Sequence, residues 1–363
     1  MSTIASGWLT ALFLYDVAEA IDLTTVNNLI GPTTAARVGP RPPAPPYVQY
    51  AHPPVTIDGL AVELPRLADW QLRFKVFDYG VVSVALTRPL PSTWDALVSE
   101  GLRWDEDPEL PSQAEGLCRH LIDRLRPALS GPRTELLAED YLVFAVTRLT
   151  DVNTADALLA AHGVTIAQLL RGEREPLSTQ ERDDVLRQRL SYLATDLVVP
   201  TWNAAFVFDT EAGAQSILEI IEFANSQLLE FRYYDSLLDA ELAHIYQRLQ
   251  EPSSLQSWFG RRFTRAAHQV HSLFIDVNEL TDKTENALKF AGDVYAARLF
   301  NLVASRLGLD QWKDNVREKL KTLDDIYRFT VEQTAMARGE LLELMIVSIL
   351  ILELVLFFAG IMQ

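Results

Sequence analysis

The pattern of apolar positions divides the chain into two parts of different character. Up to about residue 210, short apolar runs of strand length are mixed with stretches of helical periodicity. The strand-like runs are Ala11–Val17, Leu72–Phe77, Val81–Leu86, Tyr141–Val146 and Leu197–Phe208. Because strands and helices follow one another without a regular strand–helix–strand repeat, the pattern predicts an α+β domain over residues 1–210.

Two local patterns inside this domain indicate how the chain turns. Asp78-Tyr79-Gly80 separates two apolar runs, which predicts a tight hairpin or a bend in one long strand. On the first of these runs Arg73 and Lys75 alternate with apolar residues, so we expect them on the opposite face of the strand. Residues 38–54 hold seven prolines, which predicts an extended connector rather than a helix.

From Glu211 onward the pattern changes to long helices. Apolar residues recur in alternating steps of three and four, which is typical of coiled coils, from Ile217 to Leu249 and again from Phe263 to Val294. The two seams predict an antiparallel coiled-coil hairpin, extended by a stalk, over residues 211–340. Asp235 is the polar member of the first seam, so it requires a partner such as Arg, Lys or Tyr on the neighbouring helix.

The C-terminal run is apolar over almost its whole length. From Leu344 to Met362 the side chains that interrupt it are Ser348 and Glu353. A helix of this length covers roughly 28 Å, close to the apolar core of a bilayer at about 30 Å. The pattern therefore predicts a transmembrane tail anchor over residues 341–363.

The flanking charges predict the orientation of this span. Arg338 precedes the run and no basic residue follows it, which favours a cytoplasmic body. The first 20 residues contain no Lys or Arg, whereas secretory signals and mitochondrial presequences are basic. We therefore expect a single-pass membrane protein with most of the chain in the cytoplasm.

Glu353 has two interpretations inside such a span. It is either a neutral acid that hydrogen-bonds to a neighbouring helix, or part of an ion or proton pathway. A single span has no second helix of its own to satisfy the acid. Both interpretations therefore predict a further copy of the chain or a partner protein.

Composition and charge narrow the classes of function. The chain has 32 Lys and Arg against 49 Asp and Glu, a net charge of -17, so we expect no direct contact with nucleic acid. The apolar content of 48% excludes a disordered chain. Cys118 is the single cysteine, which excludes an intrachain disulfide and a multi-cysteine metal site.

Motifs that would indicate a reaction are missing. The sequence contains no GxSxG, Walker A or GxGxxG pattern. Glu241 and His244 form one ExxH pair without a second pair, and His268 and His271 lack an obvious third ligand. We therefore expect no bound metal, no cofactor and no catalysis, and keep an enzyme with a site in the α+β domain as an alternative.

Two segments resemble the required-for-meiotic-nuclear-division family. Phe77–Val82 is similar to its F-x-Y-G-V-V strand signature, and Leu342-Glu343-Leu344 with Glu353 is similar to its L-E-W segment and apolar run, with Leu in place of Trp. The resemblance covers roughly residues 70–363. It implies a membrane-anchored homo-oligomer without known catalytic residues, whose eukaryotic members tether ribosomes in mitochondria. Without a presequence, this chain is identified as a bacterial member.

The combined hypothesis is a self-associating, tail-anchored scaffold or tether in the bacterial inner membrane. Its expected contacts are the lipid bilayer, further copies of the chain and an unknown cytoplasmic protein. Glu343, Glu353 and Arg338 are the expected membrane and oligomer residues, and Asp235 is the polar residue of the coiled-coil seam. The alternative is an oligomeric membrane channel or transporter-like assembly with Glu353 in its pathway.

Overall fold

The computed structural model describes residues 2–30, 52–58, 69–250, 275, 277 and 294–358. The chain forms two compact units. The first consists of residues 1–233 and 281–313, and the second of residues 234–280 and 314–363. Most of the predicted proline-rich connector at 38–54 and nearly all of the predicted second coiled-coil seam lie outside the described residues.

The described part of the first unit is built on one seven-stranded sheet. Its strands are β1 (Ile4–Ile21), β2 (Val55–Asp58), β3 (Gln71–Val76), β4 (Val81–Pro89), β5 (Leu129–Leu149), β6 (Leu197–Pro200) and β7 (Ala204–Phe208). The spatial order is β2-β3-β4-β1-β5-β7-β6. Strands β5 and β7 pair in parallel, and the other neighbours pair antiparallel. This arrangement is the mixed α+β class.

The described helices occur in two groups. Five of them lie between strands or follow β1: α1 (Leu23–Ile30), α2 (Trp94–Asp105), α3 (Glu109–Leu125), α4 (Ala155–Arg171) and α5 (Thr179–Arg187). Three follow the last strand: α6 (Glu211–Gln250), α7 (Val294–Leu307) and α8 (Leu309–Phe358). The change from mixed structure to helices therefore occurs where the apolar pattern changes.

Both faces of the sheet are covered. On one face Phe13, Phe74 and Phe144 belong to a buried apolar cluster that also contains side chains from α1 to α5. Residues of alternate parity on β1, such as Leu12, point to the other face and are buried as well. Helix α6 contacts that second face, since Lys75 of β3 is paired with Glu222.

The β3–β4 hairpin has the turn that the sequence predicts. Gly80 has a φ of 96°, a conformation that favours glycine. A Cβ atom at this position would overlap the carbonyl oxygen of Ala18, so close contact with β1 also requires glycine. The turn places Val81 and Val82 at the start of β4, where both are fully buried.

The predicted transmembrane helix is contradicted. The backbone of α8 is helical as far as Phe358, but among the described residues no helix is long and apolar enough to cross a membrane.

The fold class is therefore corrected to mixed α+β with a seven-stranded sheet and a helical C-terminal region. Two further predictions are also wrong: the tail anchor over 341–363 and the single-pass location in the bacterial inner membrane. An apolar run of this kind is common to spans and to helices enclosed by other helices, so its composition alone did not distinguish them.

Candidate functional site

The C-terminal end of α8 exposes a large apolar surface. Nine large apolar side chains from Met345 to Val355 are each between 46% and 59% exposed, and only Ser348 and Glu353 interrupt them. We call Met345–Val355 the α8 apolar segment. Because successive residues of a helix are about 100° apart, these side chains point to every side of the helix. A helix that is apolar all round is normally buried, in the core of a protein or in a membrane.

The predicted membrane and oligomer residues lie along this end of α8. Glu353 lies inside the apolar segment, Glu343 lies two residues before it, and both are exposed. A spacing of ten residues separates them by about 15 Å along the helix, so they do not form a carboxylate pair. The side chain of Arg338 is outside the described residues.

Asp235 lies elsewhere, in a charge cluster between α6 and α8. The Lys319 ammonium on α8 lies 2.7 Å from carboxylate oxygens of both Asp235 and Asp239 on α6. Partial burial lowers the pKa of Lys319, but the bonds and charges of the two aspartates outweigh it and raise the pKa above its ordinary value. The structure therefore places a cationic partner beside Asp235.

The charge cluster and the apolar segment are separate features of α8. Lys319 precedes Glu343 by 24 positions, which is about 36 Å of helix. The residues predicted from the sequence therefore do not converge on one site. The cluster joins two helices, whereas the apolar segment has no described contact that covers it.

A buried polar row on α6 was not predicted as a unit. Its members are Glu222, Asn225, Ser226, Gln227 and Glu230. Glu222 forms an ion pair with Lys75, and both side chains are at most one-tenth exposed. The hydroxyl oxygens of Ser226 and Tyr79 are 2.7 Å apart. In the sequence, only the density of polar residues around this stretch indicated the row.

Further along α6, Arg232 and Tyr233 contact charged residues of the sheet. Asp16 of β1 is 1% exposed, and one of its carboxylate oxygens lies 3.2 Å from Nε of Arg133 on β5. The Arg133 guanidinium carbon lies 3.9 Å from the ring centroid of Tyr233, a cation–π contact. Burial raises the pKa of Asp16, although Arg133 opposes the shift. Arg232 forms an ion pair with Glu139 of β5.

Only some of the candidate metal ligands lie among the described residues. His244 is exposed on α6, and His268 and His271 lie outside the described residues. Over the described ranges, no group of three or more His, Cys, Asp or Glu residues could hold a metal ion. Cys118 is fully buried in α3, and burial raises the pKa of its thiol, which disfavours the reactive thiolate.

Comparison with known proteins identifies the family. The family described as the N-terminal domain of the uncharacterized protein MJ0711 matches residues 6–215, which is more than half of the chain. The chain belongs to this family. The matched region covers the sheet and ends in the first turns of α6.

A relative carries the similarity beyond that domain. The uncharacterized protein MJ0711 of Methanocaldococcus jannaschii is 24% identical over 245 residues, which cover 68% of this chain and 74% of the relative. No solved structure matches the chain.

These findings overturn the resemblance to the required-for-meiotic-nuclear-division family. The matching family is the MJ0711 N-terminal domain, and the archaeal relative contradicts the assignment to a bacterial member. The motif at Phe77–Val82 has a local physical cause, because it combines a turn that needs Gly80 with the first residues of a buried strand. Such a short pattern recurs in unrelated sheets and is a weak marker of family.

Proposed function

We propose that this protein is a self-associating scaffold whose copies assemble through the α8 apolar segment. The observation that supports this proposal is the run of nine half-exposed apolar side chains at Met345–Val355. Proteins that stay monomeric rarely expose a continuous apolar patch of more than a few hundred Å². The sheet domain is then the body that each copy contributes to the assembly.

The size of the segment is sufficient for a stable interface. At roughly 100 Å² per side chain, the nine residues expose on the order of 900 Å² per copy, against about 800 Å² per partner in standard interfaces. Completing the burial of a half-exposed Leu, Ile, Val or Met contributes about 1 kcal/mol, so the segment contributes on the order of 9 kcal/mol per copy. Association costs between about 4 and 15 kcal/mol, which several copies together can offset.

The distribution of apolar residues around the helix favours more than two copies. A single partner helix covers one side of α8, and the other sides of the segment would stay exposed. A bundle of three or more helices covers all of them. Glu353 would then meet its counterparts in the bundle, where a polar residue among apolar ones specifies register and number of copies at a cost in stability.

The charge cluster lies near the start of α8, far from the apolar segment, and its contacts also support this proposal. Lys319 joins α8 to α6 through Asp235 and Asp239, so the helix that carries the apolar segment is anchored to a second helix. Recruitment of a further protein by the assembly stays a prediction. The channel alternative depended on a membrane span and is not retained.

The test is the mass of the full-length protein in solution, measured by sedimentation equilibrium at micromolar concentration. We expect the wild type to be a trimer or larger, and Leu350→Asp with Leu354→Asp to be a monomer. The matched control is Val164→Asp, because Val164 is 49% exposed on α4 and its loss should leave the mass unchanged. A monomeric wild type would contradict the proposal, and so would an unchanged mass in the double variant.

A second arm identifies what covers the segment. The wild type and the double variant are mixed with phosphatidylcholine and phosphatidylglycerol vesicles and floated on a density gradient. We expect both to remain at the bottom. Flotation of the wild type alone, as a monomer, would show that lipid and not other copies covers the segment, and would overturn self-association.

A further inference from the structure

Glu353 is the only ionisable residue in the sequence of the α8 apolar segment. Residues three and four positions apart lie on the same side of a helix, so Ile349 and Leu350 are its neighbours on α8. Their side chains are 59% and 57% exposed, and Glu353 is exposed beside them. The carboxylate therefore lies within the apolar surface and not at its margin.

The sequence around Glu353 provides no cation that could pair with it. The ten positions on either side hold no Lys, Arg or His. The positions one turn after Glu353, 356 and 357, hold Leu and Phe. Ser348 lies five positions before it, which is about 140° around the helix. The nearest charged side chain along the sequence is Glu343, about 15 Å away and of the same sign. In a separate copy, Glu353 therefore depends on water to stabilise its charge.

Assembly through the α8 apolar segment removes the carboxylate from this water. This step rests on the proposed function, in which several copies cover every side of α8. A helix that covers Ile349 and Leu350 also covers Glu353, because the three side chains lie on one side of α8. Burial without a cationic partner disfavours a charged carboxylate relative to the neutral acid. In a bundle of identical helices, the Glu353 carboxylates of the other copies add like charge, which acts in the same direction.

We propose that protons control the assembly of this protein, because Glu353 takes up a proton when copies associate through the α8 apolar segment. In each copy, a charged carboxylate in water and one proton from the solvent become a neutral carboxylic acid in the bundle. No further reactant is required. The neutral acid has a hydroxyl that can donate a hydrogen bond to a carboxyl oxygen of another copy.

The direction of the pH effect follows from this uptake. A glutamate side chain in water loses its proton near pH 4.3, roughly, so at neutral pH the separate copies are charged at Glu353. Association that takes up protons is tightest at acid pH and weakens as the pH rises. One proton per copy changes the association equilibrium by up to about tenfold per copy for each pH unit, or about 1,000-fold for three copies.

The overall charge of the chain has a different effect on assembly. The chain has 49 acidic against 32 basic residues, so copies repel one another, and ordinary carboxylates are already ionised at pH 6. Salt screens this long-range repulsion, because the Debye length is roughly 3 Å in 1 M salt. Proton uptake by a buried group persists under these conditions. A comparison of pH 6 with pH 8 in high salt therefore isolates the effect of Glu353.

The test is sedimentation equilibrium of the full-length protein over a series of concentrations, at pH 6 and pH 8 in 1 M NaCl. For the wild type, the concentration at which half of the copies are assembled should be at least about tenfold lower at pH 6. Glu353→Gln is neutral at both pH values, so it should lose this difference and assemble at pH 8 about as tightly as the wild type at pH 6. The matched control is Glu318→Gln, the same change at an exposed residue of α8 outside the segment, which should keep the wild-type pH dependence.

A direct measurement of protons provides a second readout. The assembled wild type is diluted at pH 7 into weakly buffered solution, and the protons released on dissociation are titrated. We expect up to about one proton per copy, because each Glu353 returns to water and ionises. Glu353→Gln should release none, and Glu318→Gln should release as many as the wild type.

Different results would contradict different parts of the reasoning. Equal association of the wild type at both pH values would overturn proton control but leave the proposed self-association intact. Full pH dependence in Glu353→Gln would also overturn proton control. So would weaker assembly of this variant than of the wild type at pH 8, because the charged carboxylate would then favour assembly. Monomers in all three proteins at both pH values would overturn the proposed function, and proton control with it.

Discussion

The buried ion pair between Lys75 and Glu222 makes the sharpest prediction about stability. Both side chains are at most one-tenth exposed and they pair across the interface of β3 and α6. Replacing Glu222 by Leu leaves the Lys75 ammonium without its partner in an interior that solvates charge poorly. Loss of one member of a buried pair costs about 3–5 kcal/mol, so Glu222→Leu should lower the free energy of unfolding by that amount.

Removal of both charges should have a much smaller effect. Two apolar side chains of similar volume restore packing without the cost of desolvating two ions, and such replacements are neutral or stabilising by about 1–4 kcal/mol. The variant Lys75→Met with Glu222→Leu should therefore be at least as stable as the wild type. The assay is urea denaturation followed by tryptophan fluorescence, in a double-mutant cycle.

The control is an exposed ion pair of the same charge type. Arg119 and Glu115 lie one turn apart on α3 with both side chains about half exposed, so Glu115→Gln should cost less than about 1 kcal/mol. A cost below about 1 kcal/mol for Glu222→Leu, or a double variant as unstable as the single one, would refute the reasoning. Either result would mean that water reaches the pair.

Three further predictions concern the hairpin turn, a buried carboxyl and the charge cluster. Gly80→Ala should lower the free energy of unfolding by about 2 kcal/mol or more because of its positive φ and its contact with β1. Gly116→Ala, in open helical space, should instead stabilise by about 0.5–1 kcal/mol, and equal effects in urea titrations would contradict this. The folded state raises the pKa of Asp16, so the protonated side chain contributes stability below pH 3.8, and this contribution is lost as pH rises through the folded pKa. Unfolding titrations of Asp16→Asn should therefore lack this loss of stability with rising pH. The same pH profile in the variant and the wild type would contradict the prediction. Lys319→Met should speed amide exchange in the paired part of α6 around Asp235, most clearly below pH 10.5, because the raised pKa of Lys319 keeps it charged there. Unchanged exchange would mean that the cluster adds nothing to helix pairing.

Local patterns predicted the hairpin better than the long strands. The runs Leu72–Phe77 and Val81–Leu86 alternate regularly around a glycine turn, and they became β3 and β4. The run Ala11–Val17 predicted only the middle of β1, which extends from Ile4 to Ile21. Polar residues at its ends, such as Ser6, find partners on neighbouring strands, and a local window cannot show such pairing.

Only the locally encoded part of the candidate site could be predicted from the sequence. The apolar run at the end of α8 and the need of Asp235 for a partner were visible in the sequence, but the identity of Lys319 was not. Lys75 alternates with apolar residues, which predicted the second face of β3 but not that α6 buries that face. Burial by a distant helix is a property of the tertiary fold, so sequence periodicity contained no signal for it.

The polar row on α6 has a consequence for how the helix is positioned. An apolar helix can slide by a turn on an apolar sheet at modest cost, whereas an ion pair tolerates no such shift. Glu222 on Lys75 and Ser226 on Tyr79 lie one turn apart on α6, so a slip of one turn would break both contacts together. We therefore infer that the row specifies the register of α6, which is the best-attested use of buried charge. The double variant Lys75→Met with Glu222→Leu separates register from stability. It should unfold at the same or higher urea concentration than the wild type, yet show faster amide exchange along α6. Wild-type exchange in that variant would show that the apolar contacts alone specify the register.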